Sequence, residues 1–300
     1  MKQPLICVIG GTGFVGRHLL NRLSRAGYRV RVPTRHPERH RHLRLVPGCE
    51  LVALDDWSAA ALAEPMRGCH ALINLAGILN EGRGRTFDET HVTLVERATS
   101  AASAVGVGVY IHLSALNADP EGPSDYLRSK GRGEAVARAA AEQGMSVTLL
   151  RPSVIFGPGD SLFNRFATLL RLAPGIVPLA CADTRFAPIY VGDLVEVVMR
   201  TLESPAEHAG TLELCGPRVM SLRDLIGYTA ATIGRKVHVV ALGERLARLQ
   251  ARVFETLPGQ PFTTDNYLSL RIDSLCHEDG FARFGIAATD VDMIVPQYLA

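Results

Sequence analysis

The sequence predicts an α/β fold built on a doubly wound parallel sheet, with a smaller C-terminal α+β subdomain. Three observations predict it. A glycine-rich turn joins the first apolar run to an amphipathic stretch, short apolar runs alternate with helical patterns through the first half, and this alternation stops after Arg151-Pro152. Strands this apolar, separated by helices, imply a parallel sheet that helices cover on both faces.

The apolar runs and helical patterns predict the elements in order. Strands are expected at Leu5–Ile9, Tyr28–Val32, Glu50–Leu54, Ala71–Leu75, Val109–Leu113 and Val147–Leu150. Helices are expected at Val15–Ala26, Ala59–Met66, Val92–Ala104, Leu127–Gln143, Leu162–Leu172, Leu194–Leu202 and Leu222–Ile233. Gly27 and Gly144 stand where C-terminal helix caps belong, and Ser221 with Asp224 forms a candidate capping box.

The composition is that of a folded chain with balanced charge. Of the 300 residues, 47% are hydrophobic, and the formal net charge is only +2. This supplies a large core and gives no reason to expect nucleic acid or an anionic membrane as the main partner. No apolar run approaches the roughly 18–20 residues of a transmembrane segment, and the first strand begins too early for a signal peptide to precede it. We expect a soluble cytoplasmic protein.

The six cysteines are scattered along the chain, at Cys7, Cys49, Cys69, Cys181, Cys215 and Cys276. They form no CxxC pair and no spacing typical of a metal site, so no metal is expected. We expect free thiols in a reducing compartment.

The glycine-rich turn GGTGFVG, at residues 10–16, follows the first strand directly. Gly10 can adopt backbone angles closed to other residues, Gly13 lets a phosphate approach the main chain, and Gly16 lets helix and strand pack closely. The helix N-terminus adds unpaired N–H groups and partial positive charge. The turn therefore predicts a Rossmann-type nicotinamide-dinucleotide site. Its expected contacts are Gly10, Thr12, Gly13, Phe14, Val15 and Gly16.

The domain boundaries follow from this site and from the end of the strand–helix alternation. We expect a dinucleotide-binding domain over residues 1–152, to which residues 188–202 return. A smaller substrate-facing subdomain is expected over 153–187 and 203–300.

A second constellation combines a serine, a tyrosine and a lysine. Tyr126 and Lys130 stand four residues apart on one face of a predicted helix, and Ser114 follows the strand Val109–Leu113. Hydride transfer at a carbinol carbon must be matched by proton transfer at its oxygen, and an ammonium lowers the pKa of a nearby phenol. We assign Tyr126 as acid/base, Lys130 as its electrostatic partner and Ser114 as ligand of the substrate oxygen. The alternative is that they are ordinary residues of their elements.

Together these motifs resemble an extended or atypical short-chain dehydrogenase/reductase. The resemblance rests on GGTGFVG, the serine of HLSALNAD (112–119), YLRSK (126–130) and RPSVIFGPGD (151–160). FNRF (163–166), APIYVGDL (187–194) and PFTTDN (261–266) are similar to bacterial relatives of the NADPH-binding accessory subunit of respiratory complex I. The resemblance implies a tightly held NADP(H) and no particular substrate.

The ends of the third and fourth strands supply further candidate contacts. In the resembling family an aspartate after the third strand bonds the adenine amine, which indicates Asp55 or Asp56. A helix N-cap explains these two residues equally well. After the fourth strand, small residues let the backbone approach the ribose and diphosphate. These residues are Leu75, Ala76 and Gly77.

The resemblance also assigns positions outside the strand ends. Pro152, Ser153 and Val154 would lie along the nicotinamide, and Asp193 would be structural at a helix start. His91 falls where many family members place an asparagine that supports the lysine through water. The other interpretation of His91 is a histidine on the helix surface.

The end of the second strand favours NADP(H) over NAD(H). NAD-specific sites place an acidic residue there, whereas this chain has Thr34 and Arg35 and no carboxylate before Glu38. Arg35 would pair with a 2′-phosphate, and Thr34 would add a hydrogen bond. The alternative is that Arg35 belongs to a solvated basic stretch.

A late apolar stripe at helical spacing comprises Leu242, Leu246, Leu249, Val253 and Leu257, with Arg245, Arg248 and Arg252 near its edges. We expect this helix to pack over the substrate pocket. The alternative is an interfacial helix that admits a quinone- or lipid-like substrate or makes peripheral membrane contact.

Three hypotheses for function follow, of which the third is a sugar-nucleotide epimerase/dehydratase. The first is an NADP(H)-dependent oxidoreductase, or an epimerase-type enzyme, acting on a carbonyl or hydroxyl of a small molecule. The second is a non-catalytic NADPH-binding protein that supports respiratory complex I or quinone-pathway assembly. A sugar-nucleotide epimerase would need a second diphosphate pocket, which Arg165, Arg171 and Arg185 are too loosely arranged to define. By analogy with relatives, a homodimer through the helices Val92–Ala104 and Leu127–Gln143 is expected.

Overall fold

Strand and helix alternate along the first half of the chain. The computed structural model describes residues 4–82, 84–172 and 175–299. The strands are β1 (Leu5–Ile9), β2 (Arg29–Thr34), β3 (Cys49–Ala53), β4 (Ala71–Asn74), β5 (Val109–Leu113), β6 (Ser146–Pro152), β7 (Ile155–Phe156), β8 (Ile176–Leu179), β9 (Arg185–Phe186), β10 (Ile189–Tyr190), β11 (Gly210–Leu214), β12 (Met220–Ser221) and β13 (His238–Ala241).

The α-helices are α1 (Phe14–Arg25), α2 (Ala59–Met66), α3 (Leu94–Ala104), α4 (Asp125–Ala139), α5 (Phe163–Leu172), α6 (Val191–Glu203), α7 (Leu222–Thr232), α8 (Glu244–Glu255), α9 (Thr264–Ser269), α10 (Val291–Ile294) and α11 (Pro296–Leu299). Helical turns of other pitch cover Pro37–Leu45, Glu89–Thr93, Ala140–Gln143 and Ala282–Phe284. Most of the expected elements are present, with ends shifted by a few residues.

The chain divides into two units. The first consists of Met1–Glu121, Arg128–Arg151 and Val195–Leu212, and the second of Gly122–Leu127, Pro152–Leu194 and Glu213–Ala300. The segment that returns to the first unit is therefore Val195–Leu212, where we expected 188–202. Residues 122–127, which we expected in the first domain, fall in the second unit.

Seven strands form the main sheet, in the order β11-β6-β5-β4-β1-β2-β3. The pairings from β6 to β3 are all parallel. The strand order reverses between β1 and β4, and in open α/β sheets ligands bind beyond the carboxyl ends of the strands at such a reversal. The doubly wound fold expected from the sequence is confirmed, and it brings the ends of β1 and β4 together at this edge.

The core of the first unit lies between the sheet and the helices that cover it. Strands β1, β4 and β5 are almost wholly buried, and helix α1 turns its apolar stripe, Leu19, Leu20 and Leu23, inward. A wide turn at Glu89–Thr93 precedes α3, so this helix pattern begins earlier than expected. The carbonyl of His91 in that turn lies so near α4 that a Cβ at Gly133 would be 2.0 Å from it. Only glycine fits there.

The second unit has its own apolar core. Phe156, Phe163, Phe186, Leu225 and Val295 are among its buried members. Three two-stranded pairings lie in this unit, namely β7 with β10, β9 with β12 and β8 with β13. The capping box expected at the start of α7 is present, because Ser221 and Asp224 exchange hydrogen bonds.

Cys215 and Cys276 form a disulfide, so the expectation that all six cysteines are free thiols was wrong. The two residues are 61 positions apart in sequence, and their Cα atoms lie 5.9 Å apart. Glu213 holds the same two segments together, since it accepts hydrogen bonds from the backbone N–H groups of His277 and Gly280. The other four cysteines are free thiols.

Candidate functional site

The glycine turn after β1 leaves an open cradle at the start of α1. Gly10 has a φ of +75°, and a Cβ there would lie 2.7 Å from the backbone of both Leu75 and Ala76. A Cβ at Gly16 would lie 2.4 Å from the carbonyl oxygen of Gly11. By contrast, a Cβ at Gly13 would meet only the carbonyl oxygen of Gly10, at 3.3 Å. Gly10 and Gly16 thus pack tightly, while the space at Gly13 is open.

The helix that follows the turn suits an anion. Gly13 is the N-cap of α1 and has no side chain to cap the first N–H groups, and the first turn contains no acidic residue. Its N–H groups and helix dipole therefore face the cradle without a competing carboxylate. The residues at this turn fit a dinucleotide diphosphate. Thr12, Phe14 and Val15 lie beside the glycines as expected, with Val15 turned into the core.

A buried polar trio positions the loop after β4. Asn74 Oδ1 accepts the backbone N–H of Ala76 at 3.1 Å, and its Nδ2 lies 3.4 Å from the hydroxyl of Tyr110. The Tyr110 hydroxyl lies 3.0 Å from His112 Nδ1. Burial, with the charge of Lys130, lowers the pKa of His112 to about 3, so the ring is neutral. The loop 75–77 packs against Gly10, so this trio supports one wall of the cradle.

Lys130 is buried beside that loop. Its Nζ donates to the carbonyl oxygen of Leu113 at 3.1 Å. A Cβ at Gly77 would lie 3.4 Å from the same Nζ. Burial lowers the pKa of Lys130 to about 8, although the carboxylate of Glu134 acts in the opposite direction. The ammonium therefore lies within reach of a ligand that rests on the 75–77 loop.

His91 is buried, so the interpretation as a surface histidine was wrong. Its Nε2 accepts the backbone N–H of Ile78 at 3.2 Å, and its Nδ1 lies 2.8 Å from Ser129 Oγ. Burial, then Lys130 and His112, lower its pKa to about 2. A neutral ring whose Nε2 accepts carries its proton on Nδ1. His91 thus ties the loop after β4 to α4 in this structure.

Glu134 is a buried carboxylate that the sequence analysis did not single out. Arg151 contacts it with two nitrogens, at 2.7 and 2.6 Å, and Arg138 contacts it at 2.7 Å. Arg151 also donates to the carbonyl oxygen of Ala118. This cluster fixes α4 against the end of β6. The glutamate stands four residues after Lys130, and that spacing was the available signal.

Ser114 directly follows β5, as expected. Its backbone N–H donates to the carbonyl oxygen of Leu150 at 2.8 Å, which anchors it to β6. The residue is only 5% exposed, and its Oγ has no hydrogen-bond partner among the described residues. A buried hydroxyl without a partner is uncommon in folded proteins, and one source of such an atom is a site that a ligand completes.

Tyr126 is the second residue of α4, lies in the second unit and is half-buried. The carboxylate of Asp265 accepts the backbone N–H groups of Asp125 at 2.6 Å and of Tyr126 at 3.3 Å, so it caps the helix. Burial and then Asp265 raise the pKa of Tyr126 to about 12. We expected a lowered pKa from Lys130, and that expectation was wrong, because burial disfavours the phenolate and Asp265 adds negative charge.

The end of β2 carries no acidic ligand. Thr34 is buried, and its Oγ1 accepts the backbone N–H of His36 at 3.4 Å. The exposed Arg35 places its guanidinium 5.4 Å from the centre of the Trp57 ring. Glu38, the first carboxylate after the strand, pairs with Arg44 at 2.8 Å.

Asp55 and Asp56 follow β3 and are both exposed. Asp56 accepts hydrogen bonds from the backbone and hydroxyl of Ser58, and it is Ser58 that caps α2. The N-cap that we considered at the aspartates therefore belongs to Ser58, which Asp56 orients. Asp55 is one residue nearer the strand end and keeps its role as a candidate adenine contact.

The segment after β6 lies in the second unit. The Ser153 hydroxyl donates to the carbonyl oxygen of Ser274 at 2.8 Å, and the backbone N–H of Ser153 donates to Leu214. Pro152 is buried, and the carbonyl oxygen of Val154 accepts the backbone N–H of Ile189. The side chain of Ser153 and these backbone groups are thus used within the fold.

Other residues from the sequence have structural partners in the second unit. Asp193 accepts hydrogen bonds from the backbone and hydroxyl of Thr289, at 2.7 and 2.9 Å, so it is structural as expected. Arg185 pairs with Asp273 at 2.7 Å. Arg165 and Arg171 donate to backbone carbonyls. These partners give no sign of a second diphosphate site at the three arginines.

Within the described ranges, no helix is both long and apolar enough to cross a membrane. The same residues contain no group of three or more His, Cys, Asp and Glu side chains that could hold a metal ion.

Two related proteins match much of the chain. The chain is 28% identical over 294 residues to mouse (Mus musculus) mitochondrial NADH dehydrogenase [ubiquinone] 1 alpha subcomplex subunit 9, covering 95% of this chain and 77% of that protein. It is 32% identical over 248 residues to a ceramide reductase of Caulobacter vibrioides, covering 82% of this chain and 74% of that protein.

The fold is shared with solved structures of lower identity. UDP-glucuronic acid 4-epimerase from Bacillus cereus, in complex with UDP-glucuronic acid and NAD, matches with a TM-score of 0.75 at 15% identity over 98% of both chains. The family model of the NAD-dependent epimerases and dehydratases matches residues 6–215. This range runs from the strand before the glycine turn to the end of the sheet. The chain belongs to the NAD-dependent epimerase/dehydratase family.

Proposed function

We propose that this chain is an NADP(H)-dependent oxidoreductase that reduces a carbonyl group of a small molecule. The observation that carries the proposal is the buried Ser114 Oγ, which has no partner among the described residues. Leaving a buried hydroxyl unsatisfied costs about 1–3 kcal/mol. A substrate oxygen would accept its hydrogen bond and remove that cost.

The glycine turn would hold the dinucleotide. The diphosphate would occupy the open space at Gly13, facing the N-terminus of α1, and the 75–77 loop would lie along the ribose. When bound, the reduced nicotinamide supplies a hydride. The remaining requirement of a carbonyl reduction is a proton at the carbonyl oxygen, which the chain must deliver.

Tyr126 would deliver that proton. The phenol is protonated at neutral pH, with its pKa raised to about 12, and it can act as the acid. A protonated donor suits reduction of a ketone, whereas alcohol oxidation needs the phenolate first. An epimerase-type cycle would use the same residues in both directions.

Lys130 would hold the coenzyme ribose and stabilise negative charge. Its carbonyl partner, Leu113, immediately precedes Ser114 in the chain, and its Nζ lies beside the 75–77 loop. With a pKa of about 8, Lys130 is protonated in most molecules at neutral pH. Burial makes this charge more effective than it would be in water.

The coenzyme would be NADP(H) in preference to NAD(H). Glu38 is paired with Arg44, so the end of β2 offers no carboxylate for a ribose 2′-hydroxyl. Arg35 is exposed and rests on Trp57, which would hold its guanidinium ready for a 2′-phosphate.

The substrate class that we favour is a lipid- or quinone-like carbonyl compound. The support is the 32% identity to a protein whose activity is named as ceramide reduction. A nucleotide sugar is less favoured, because Arg185, the candidate for a second diphosphate, is neutralised by Asp273. We further propose a homodimer through α3 and α4.

The second candidate is a non-catalytic NADPH-binding protein of respiratory complex I or of quinone-pathway assembly. It is favoured by the match over 95% of this chain to a subunit of a mitochondrial NADH dehydrogenase. In that case the dinucleotide would stay bound and reduced.

A Tyr126→Phe variant distinguishes the two functions. Wild-type protein loaded with NADPH is mixed with a panel of long-chain carbonyl compounds and quinones, and oxidation of the nicotinamide is followed by absorbance. The enzyme hypothesis expects turnover in the wild type and a loss of about 100-fold or more in the variant, with NADPH binding retained. If NADPH neither exchanges with free coenzyme nor oxidises with any compound, the non-catalytic function holds.

A further inference from the structure

Helix α8 presents an apolar face to solvent. Leu246, Leu249 and Val253 are 57%, 56% and 50% exposed, and Leu257, just beyond the helix, is 44% exposed. The expectation that this stripe packs over a pocket was therefore wrong. The helix packs instead through Ala247 and Ala251, which are buried in a cluster with Ala180 and Tyr267. Of the expected stripe, only Leu242 joins that cluster.

The exposed face of α8 has basic side chains beside its apolar ones. At about 100° per residue, the three exposed apolar side chains within the helix, Leu246, Leu249 and Val253, fall in a stripe about 60° wide, opposite Glu244 in the first turn. Arg245 and Arg252 fall along one edge of the stripe, with Arg248 next to them. Neither Arg245 nor Arg252 makes an ion pair among the described residues, whereas Arg248 pairs with Glu244 at 2.6 Å.

The helix is held firmly on the second unit. Gln250 donates to the carbonyl oxygen of Pro178 at 2.9 Å and accepts the backbone N–H of Ala180 at 3.2 Å. The β8–β13 ribbon to which it is attached also exposes Ile176, at 60%, and Val240, at 41%. Apolar side chains held in water, beside arginines that make no ion pair with a described residue, are the features of a helix that lies in a lipid headgroup layer.

We propose that α8 docks this protein on the surface of an anionic lipid bilayer. Leu246, Leu249 and Val253 enter the acyl boundary, and Arg245 and Arg252 contact lipid phosphates. The charge pattern favours a bilayer over a second copy of the chain. A symmetric pairing of α8 with itself would bring unpaired arginines of both copies to one interface without a matching acidic row. The proposal does not depend on catalysis.

Vesicle co-sedimentation tests the proposal, using phosphatidylcholine vesicles with and without phosphatidylglycerol. We expect binding to the anionic vesicles that weakens as salt is raised. The triple variant Leu246→Ser, Leu249→Ser, Val253→Ser should reduce the binding by more than about tenfold, because three apolar side chains leave the bilayer. The double variant Arg245→Gln, Arg252→Gln should reduce it by about fivefold per arginine.

Matched controls lie on the first unit. Leu45→Ser, at a side chain that is 85% exposed, is the control for the apolar variant. Arg25→Gln with Arg29→Gln, at exposed sites, is the control for the arginine variant. Neither control should alter vesicle binding. Circular dichroism and NADPH affinity verify that each variant is folded. Wild-type protein that fails to bind either kind of vesicle overturns the proposal. So does binding that the triple variant leaves intact. A wild-type dimer that the triple variant makes monomeric, without vesicle binding, assigns the face to a second copy instead.

Discussion

Asp265 caps the helix residue Tyr126, accepting its backbone N–H at 3.3 Å. The same carboxylate adds to burial in raising the pKa of the Tyr126 phenol. One acidic side chain therefore determines where α4 begins and how tightly its first aromatic residue holds a proton. Asp265 lies in the segment PFTTDN (261–266), which the sequence analysis used only as part of the family resemblance.

Replacing Asp265 by Asn should lower the pKa of Tyr126, because the amide removes a negative charge while its oxygen still caps the helix. The alkaline limb of the pH–rate profile for carbonyl reduction should move to lower pH, because the phenol must be protonated to act as the acid. Asp265→Ala should in addition lose about 1 kcal/mol of stability with the cap. Asp125→Asn, a charge change in the same helical turn, is the control and should move the profile less. An unchanged profile in Asp265→Asn would contradict the assignment.

Lys130 should make stability depend on pH in a defined window. Its pKa is about 8 in the folded chain against an ordinary value of 10.5. Between these values the unfolded chain binds more protons, so the free energy of unfolding rises with pH. Relative to Lys130→Met, the wild type should gain about 3 kcal/mol from pH 8 to pH 10.5 in urea titrations. Lys236→Met, at an exposed site, should show no such trend.

Glu134 should be a major determinant of stability in the first unit. Removing one partner of a buried ion pair leaves the remaining charge uncompensated, so Glu134→Ala should cost about 3–5 kcal/mol in chemical denaturation. Glu64, which pairs with Arg67 at the surface, is the matched control, and Glu64→Ala should change stability little. Similar losses in the two variants would show that burial of the Glu134 cluster has no special role.

Arg35 should discriminate between the two coenzymes. A charge-assisted contact with the 2′-phosphate predicts that Arg35→Ala weakens NADPH binding by about 10- to 100-fold and leaves NADH binding nearly unchanged. Calorimetry measures both affinities. Arg39→Ala tests whether the whole basic stretch contributes and should have a smaller effect. Equal losses for NADPH and NADH in Arg35→Ala would remove the NADP(H) assignment.

The Cys215–Cys276 disulfide should stabilise the second unit. Closing a loop between residues 61 positions apart predicts a stabilisation of about 4 kcal/mol through the unfolded state. Thermal unfolding with and without a dithiol reductant should show this difference, and Cys215→Ser should abolish it. Cys181→Ser, which removes a free thiol, should leave the effect of the reductant unchanged. Mass spectrometry that finds all six thiols free in oxidised protein would contradict the pairing.

The fold was predictable because its signals are local. The run Leu5–Ile9, the turn at 10–16 and the stripe of α1 each follow from neighbouring residues, and the structure has all three. Gly16 is a glycine because a Cβ there would meet Gly11, as the motif implies.

The parts that were missed depend on residues distant in sequence. The start of α4 at Asp125 needs the carboxylate of Asp265, 140 positions later. His91 is buried against Ser129 and Ile78, which lie on other segments of the chain. The helical spacing of residues around His91 does not reveal these contacts. The stripe of α8 has the period of a packed helix, and only the tertiary structure shows that Ala247 and Ala251 form its inner face.

The buried ammonium of Lys130 has a consequence for folding. Water is excluded from it, so folding costs more free energy with this side chain than with a neutral one of the same size. In return, the folded chain keeps a positive charge beside the 75–77 loop, which a neutral residue at this position would not supply.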